Sequence, residues 1–118
     1  MANNTPIIRV VRDCEDPYVD TIYKKADGSF HREDGPTHIR VYDNKDYYEN
    51  WYYESKAHRY GGPALIGITR DYTFHEFWIH GLEVTEEVET WLTDMGYVWG
   101  SMSEQEEWEL DMFMRSLG

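Results

Sequence analysis

A single cysteine, Cys14, occurs among 118 residues, so no internal disulfide is available and a cross-linked secreted scaffold is excluded. Long apolar runs are also missing, and none approaches the roughly 18 to 20 residues that a membrane-spanning helix requires. The opening residues Met1-Ala2-Asn3-Asn4-Thr5-Pro6 hold neither the basic nor the apolar stretch of a signal peptide. These absences lead us to expect a cytoplasmic protein without membrane contact. Positive charge is scarce too: 11 Lys and Arg stand against 23 Asp and Glu, a net charge of −12. Up to Leu82 there are 13 acidic and 10 basic residues, whereas Glu83 to Gly118 holds 10 acidic residues and one arginine. Such a field repels phosphate backbones and anionic lipid, which argues against direct nucleic-acid binding. It leaves solubility, or a partner with a basic surface.

What the chain does have is aromatic side chains, at 16%, and a repeat. Phe30-His31-Arg32-Glu33-Asp34-Gly35-Pro36-Thr37 returns 27 positions later as Ala57-His58-Arg59-Tyr60-Gly61-Gly62-Pro63-Ala64. At the same offset Ile39 maps to Ile66, Val41 to Ile68, Tyr47 to Phe74, Glu49 to Glu76 and Trp51 to Trp78. A fixed period of this length signals stacked supersecondary units. The expected fold is α+β, an antiparallel β-hairpin repeat sheet of about six strands closed by two C-terminal helices. We expect one domain over 1–118, with N-terminal strands in 1–27, two hairpin repeats in 28–82 and an acidic helical cap in 83–118.

Periodicity supplies the elements. Pro6 to Arg12 and Val19 to Lys25 read as strands around a polar, proline-containing turn. Thr37-Ile39-Val41 and Ala64-Ile66-Ile68 alternate as inward-facing rows. A second strand, Asp46 to Glu54, places Tyr47, Glu49, Trp51 and Tyr53 on one face, and its counterpart places Phe74, Glu76, Trp78 and His80 there. Asp43-Asn44-Lys45 and Arg70-Asp71-Tyr72 are the hairpin loops. Gly35-Pro36 and Gly62-Pro63 form corners, because proline donates no backbone hydrogen bond and suits the start of a strand after a turn. After Gly81 the period becomes helical. Thr85 is placed to cap a helix that Gly96 stops, with Val88, Trp91 and Leu92 on one face. Ser103 and Glu106 have capping-box spacing for a helix running to about Ser116. Trp108, Met112, Phe113 and Leu117 are its expected buried positions, with Leu110 and Met114 at the margins.

The stretch Trp51-Tyr52-Tyr53-Glu54-Ser55-Lys56-Ala57-His58-Arg59-Tyr60-Gly61-Gly62-Pro63-Ala64 resembles MORN-like hairpin repeats, which occur in small proteins of bacteriophages and large DNA viruses. The resemblance covers about Gly28 to Gly81. Three positions depart from it: Ser55 stands where glycine is usual, Gly61 replaces the aspartate seen at Asp34, and Gly81 lies one residue early relative to Ser55. The resemblance implies a hairpin array used as a scaffold or binding surface, a viral origin, and no catalytic residues.

Chemistry-bearing residues are few. His31, His38, His58, His75 and His80 lack the short spacing of a zinc site, and neither a metal nor a cofactor is expected. His31 with Asp34 is an imaginable acid–base pair, yet the second copy keeps the histidine and loses the aspartate. We therefore read His31, Arg32, Gly35, Pro36, Glu49, Trp51, His58, Arg59, Gly62, Pro63, Glu76 and Trp78 as structural repeat residues. Glu49 and Glu76 are expected to pair with a His or Arg of a corner. Tyr48, Tyr52 and Phe77, with Glu104, Glu107 and Asp111 along a solvated helix side, are the expected partner-binding residues.

The function read from the sequence is a small acidic, non-enzymatic binding protein. It would be a phage-encoded inhibitor docking on a basic surface of a host nucleic-acid-handling or defence protein. Two alternatives remain: sequestration of a nucleotide-like ligand at Tyr48, Tyr52 and Phe77 with Arg32, Arg40 and Arg59 converging, or self-assembly into a homo-oligomer through an open sheet edge.

Overall fold

β-Branched and aromatic residues alternate along the N-terminal two thirds of the chain, and there they form strands. A computed structural model describes residues 6–32 and 35–118. In chain order the elements are β1 (Ile7–Val11), β2 (Tyr18–Ile22), β3 (His38–Tyr42), β4 (Tyr47–Asn50), β5 (Tyr52–Tyr53), β6 (Lys56–Ala57), β7 (Leu65–Ile68), β8 (Thr73–Glu76), β9 (Trp78–Ile79), β10 (Leu82–Glu83), α1 (Thr85–Met95) and α2 (Glu104–Leu117). Six strands form one sheet in the order β1-β2-β3-β4-β7-β8, every neighbouring pair antiparallel. The α+β expectation holds. The expected long strand from Asp46 to Glu54 does not form: it stops at Asn50, and Tyr52–Tyr53 folds back on Lys56–Ala57 as a separate two-stranded ribbon.

Loop length decides register. The β3–β4 hairpin closes on Asp43-Asn44-Lys45. There the Tyr42 amide donates to the Asp46 carbonyl at 2.9 Å and Lys45 takes a left-handed φ of 78°, the geometry of a three-residue hairpin loop. The β7–β8 hairpin closes on Arg70-Asp71 alone, with the Thr69 amide donating to the Tyr72 carbonyl at 2.8 Å. One loop residue fewer slides everything after it. Glu49 pairs with both Ile39 and Ile66, but on its other side Ile66 pairs with His75, not Glu76. Because side chains alternate, a one-residue slip moves each to the opposite face. Phe74 and Glu76 therefore do not share the Tyr47–Glu49 face. Phe74 instead lies across Gly67, where an added Cβ would meet its ring at 2.2 Å.

Backbone bonds reveal a third unit. The His31 amide donates to the Tyr23 carbonyl at 3.3 Å, the His58 amide to Trp51 at 3.1 Å, and the Val84 amide to Phe77 at 2.7 Å. Each bond joins the end of a long hairpin to the chain emerging from a short ribbon. The first ribbon is only the Lys24–Phe30 bridge. The second turns at Glu54-Ser55 (φ 51° and 63°) and the third at His80-Gly81 (φ 46° and 83°). Positive φ at both turn residues is the usual two-residue hairpin solution. The array thus has three hairpin-plus-ribbon units, of which the sequence repeat displays two. Where a third His-Arg corner would follow, Val84-Thr85 begins α1.

The helices close that end. Phe77, Ile79 and Val84 pack with Val88 and Leu92 of α1 and with Leu110 and Met114 of α2, and Trp91 stacks on Phe113 at 5.0 Å. Thr85 does not cap α1 with its side chain; its hydroxyl accepts from the Phe77 amide at 2.9 Å and donates to Glu83. Gly96 does stop the helix, at φ 76°, and Ser103 with Glu106 forms the expected capping box. The sheet has no second layer over most of its area. The expected inward rows share a face, yet Val41 and Ile68 on it are 43% and 47% exposed. The radius of gyration of 15.4 Å exceeds the value of about 13.5 Å that a fully compacted chain of this length has.

Candidate functional site

The expected partner-binding residues fall in three different places. Phe77 is at zero exposure in the centre of the core, so it cannot touch a partner. Tyr52 belongs to the second ribbon and stacks on Phe30 at 5.5 Å. Tyr48 lies on a sheet face with His38, Arg40, Tyr42 and Asn50, where these residues line a shallow cleft of about 310 Å³. The sequence grouped the three by alternation along two strands; the break after Asn50 and the slip in β8 separate them. Arg40 likewise does not converge with Arg32 and Arg59.

Arg40 is held by Asp20, which sequence reasoning missed. Asp20 is fully buried at the centre of β2. Its carboxylate accepts two bonds from Arg40, at 2.7 and 3.0 Å, and one from Arg9 at 3.1 Å, while His38 Nε2 lies 3.0 Å away. Burial on its own raises this carboxyl; the bonds from Arg40 and His38 outweigh it and bring it to about 2. The Arg40 guanidinium in turn covers the Tyr18 ring at 3.9 Å. An aspartate flanked by Val19 and Thr21 is an uncommon strand residue, and that was the available signal.

At the corners, the spacing of His-Arg-x-x-Gly-Pro has a direct cause. Arg32 folds back to donate to the Pro36 carbonyl at 3.1 Å, and Arg59 does the same to Pro63 at 3.2 Å. A Cβ on Gly35 or Gly62 would sit 2.7 or 2.6 Å from the guanidinium carbon of its own corner arginine. Each glycine is therefore the floor on which the arginine lies. Arg32 covers the Tyr23 ring at 4.1 Å and Arg59 covers Trp51 at 3.8 Å, matching the unit equivalence above. The expected Glu–His or Glu–Arg pairing is corrected. Glu49 accepts from Tyr47 at 2.7 Å and Trp51 at 2.6 Å, and Glu76 from Trp78 at 3.0 Å. Donors two residues away along the same chain satisfy these carboxylates first. Asp34, considered as a partner of His31, lies outside the described residues; His31 Nδ1 is 3.3 Å from Glu54.

His58 stacks on His80 at 3.9 Å, and its Nδ1 accepts the His80 amide at 3.0 Å. Burial, then the neighbouring His80 and Arg115 charges, push His58 down to about 4. A carbon-detected NMR titration should find it neutral down to about pH 4, with His80→Ala moving the midpoint upward. Since the folded value lies below the unfolded one of about 6.5, the stabilisation is complete above pH 6.5. It is lost as pH falls toward 4.

The helical end carries the charge. Glu86, Glu87, Glu89 and Asp94 are exposed on α1, and Glu104 and Glu107 on α2. Asp111 is only half exposed and pairs with Arg115 at 2.7 Å, so it is less available than expected. The apolar positions of α2 are rotated from the expectation: Leu110 and Met114 are buried, whereas Trp108 and Met112 are 57% and 49% exposed. Leu110, Phe113, Met114 and Leu117 make an unbroken i, i+3, i+4, i+7 stripe, and packing against Phe77 selects it. Trp108 and Met112 then stand one turn apart on the outer surface.

Among the described residues, no three His, Cys, Asp or Glu side chains form a group able to hold a metal ion, and no helix is long and apolar enough to cross a membrane. Comparison with protein-family models, curated proteins and solved structures finds no match to the chain.

Proposed function

We propose that this chain is a small acidic, non-enzymatic binding protein whose second helix docks on the basic surface of a nucleic-acid-handling protein. The observation that carries the reading is the exposed Trp108–Met112 pair on α2, set beside the exposed carboxylates of Glu104 and Glu107. Tryptophan is the side chain most often found as an energetic anchor of an interface, and methionine adapts to irregular apolar surfaces. A solvated helix face has no need of either. The surrounding carboxylates steer a basic partner and raise the association rate, an effect that salt screens. A partner that fits has an apolar notch rimmed by Lys and Arg, the chemistry of a surface that otherwise meets phosphate backbone.

The test is capture of the partner from cell extract on immobilised protein, followed by kinetics with two variants. Trp108→Ala is expected to weaken the complex by about 2 kcal/mol, chiefly through faster dissociation. Glu104→Gln with Glu107→Gln is expected to slow association and flatten its salt dependence, and duplex DNA should displace the partner. Unchanged binding by both variants overturns the reading.

A further inference from the structure

An acidic protein with a pocket walled by arginine calls for an explanation. Between the two His-Arg corners and the end of α2 lies a cleft of about 320 Å³ lined by Arg32, Trp51, Tyr53, His58, Arg59, Tyr60 and Arg115. Three of the eleven basic residues of the chain meet there. Repeat stacking brings in Arg32 and Arg59, one from each corner. Helix α2 adds Arg115, whose guanidinium covers the Tyr60 ring at 4.4 Å.

Arg59 is the informative member. Its guanidinium is wedged over Trp51, with Trp99 at 5.5 Å, and donates to the Pro63 carbonyl. No described carboxylate stands within ion-pairing distance of it. Glu49, the nearest repeat carboxylate in charge terms, is turned to Tyr47 and Trp51; Glu107 acts on Arg59 only at a distance. Burial disfavours its charged form. A half-buried cation with no described carboxylate beside it is costly, and a ligand that brings an anion recovers that cost. Arg115 already shares Asp111, so an incoming anion competes with that carboxylate for it.

We infer that this cleft binds a nucleoside monophosphate-sized ligand, its phosphate held between Arg59 and Arg115 and its base stacked on the Tyr53–His58–Tyr60 ring cluster. Guanidinium forks match phosphate oxygens in bidentate geometry, and aromatic and imidazole faces accept a planar base. Tyr53 lies edge-on to His58 at 5.9 Å and His58 edge-on to Tyr60 at 4.7 Å, while His80 covers one face of His58 and Arg115 one face of Tyr60, so the base would use the faces left open. The volume is at the lower end of ligand pockets, sized for one nucleotide. A nucleic-acid strand is disfavoured, because its further phosphates would meet a chain of net charge −12. The site is separate from the outer face of α2, and the two readings stand or fall independently.

Calorimetric titration with AMP, adenosine and inorganic phosphate tests it, alongside NMR shifts of the His58 and Tyr60 rings. AMP should bind, with adenosine and phosphate each at least about tenfold weaker, since each keeps only half of the contacts. Arg115→Ala, on an exposed side chain that leaves the fold intact, should weaken AMP about tenfold by removing a charge-assisted hydrogen bond. Arg59→Lys should do the same if folded by circular dichroism, and Trp108→Ala should leave AMP binding unchanged. Absence of heat and of ring shifts at 1 mM AMP, about a thousandfold above a micromolar constant, overturns the proposal. So does equal binding of AMP by the Arg115 variant, or tighter binding of a ten-nucleotide single strand than of AMP.

Discussion

Phe77→Ala should lower the unfolding free energy by about 4 kcal/mol, the cost of emptying a phenylalanine site in a packed core. Phe77 has no exposed surface, and Val84, Val88, Leu92, Leu110 and Met114 belong to the same core cluster. This cluster is the main fully buried apolar contact in the described chain, because most of the sheet has no second layer. Its loss removes the attachment of both helices to the hairpin array. Denaturant unfolding should show a lower midpoint with the helical signal lost first, while Phe77→Leu should cost only about 1 kcal/mol. Unchanged stability of the alanine variant would return Phe77 to the surface and discard the packing described.

Asp20→Ala should cost about 3 kcal/mol, because it strands Arg40, which no other described carboxylate pairs with. For a chain of this length that lowers the melting temperature by about 10 °C. The pH dependence has a definite sign. Against the cost of burial, the Arg40 and His38 bonds hold Asp20 at about 2 when folded, below the 3.8 of a solvated aspartate. Its stabilisation is therefore complete above pH 3.8 and disappears as pH falls through about 2. The wild type should show this acid loss and the Asp20→Ala variant should lack it. Replacing both partners, Asp20→Leu with Arg40→Met, should cost less than the single alanine change, since no charge is left unpaired. A single change as mild as the double would show that Arg40 finds water instead.

The parts of the fold read correctly from the chain were those governed by local chemistry. Ser103 and Glu106 satisfy one another across a single helical turn, and Gly96 needs only its own φ. The hairpins of the repeat followed from alternation. What failed depended on a count or a neighbour. The offset of 27 residues holds up to Ile68 and becomes 26 after the shorter Arg70-Asp71 loop, so Glu49 corresponds to His75 and Trp51 to Phe77. Gly81, one residue early relative to Ser55, was the visible trace of that deletion. The chance recurrence of Glu and Trp two residues apart in both copies concealed it. Helix α2 offered two apolar stripes of similar strength, and only contact with Phe77 distinguishes them. The sequence grouped Arg32 and Arg59 with Arg40 about Tyr48, Tyr52 and Phe77, whereas the cleft joins the two corner arginines to Arg115. Arg115 joins through a helix that crosses back over the corners.

The third unit lacks its corner and is finished by helices, whereas β1 at the other end pairs, among the described residues, only with β2. Opening of the chain should consequently be directional. Amide protons of Ile7 to Val11 should exchange with solvent fastest among the strands, those of β3, β4 and β7 more slowly, and those beneath the helices only with global unfolding. The molecule is built like a row of shingles nailed at one end, and a ligand that bridges Arg59 to Arg115 would drive in a second nail midway along the row.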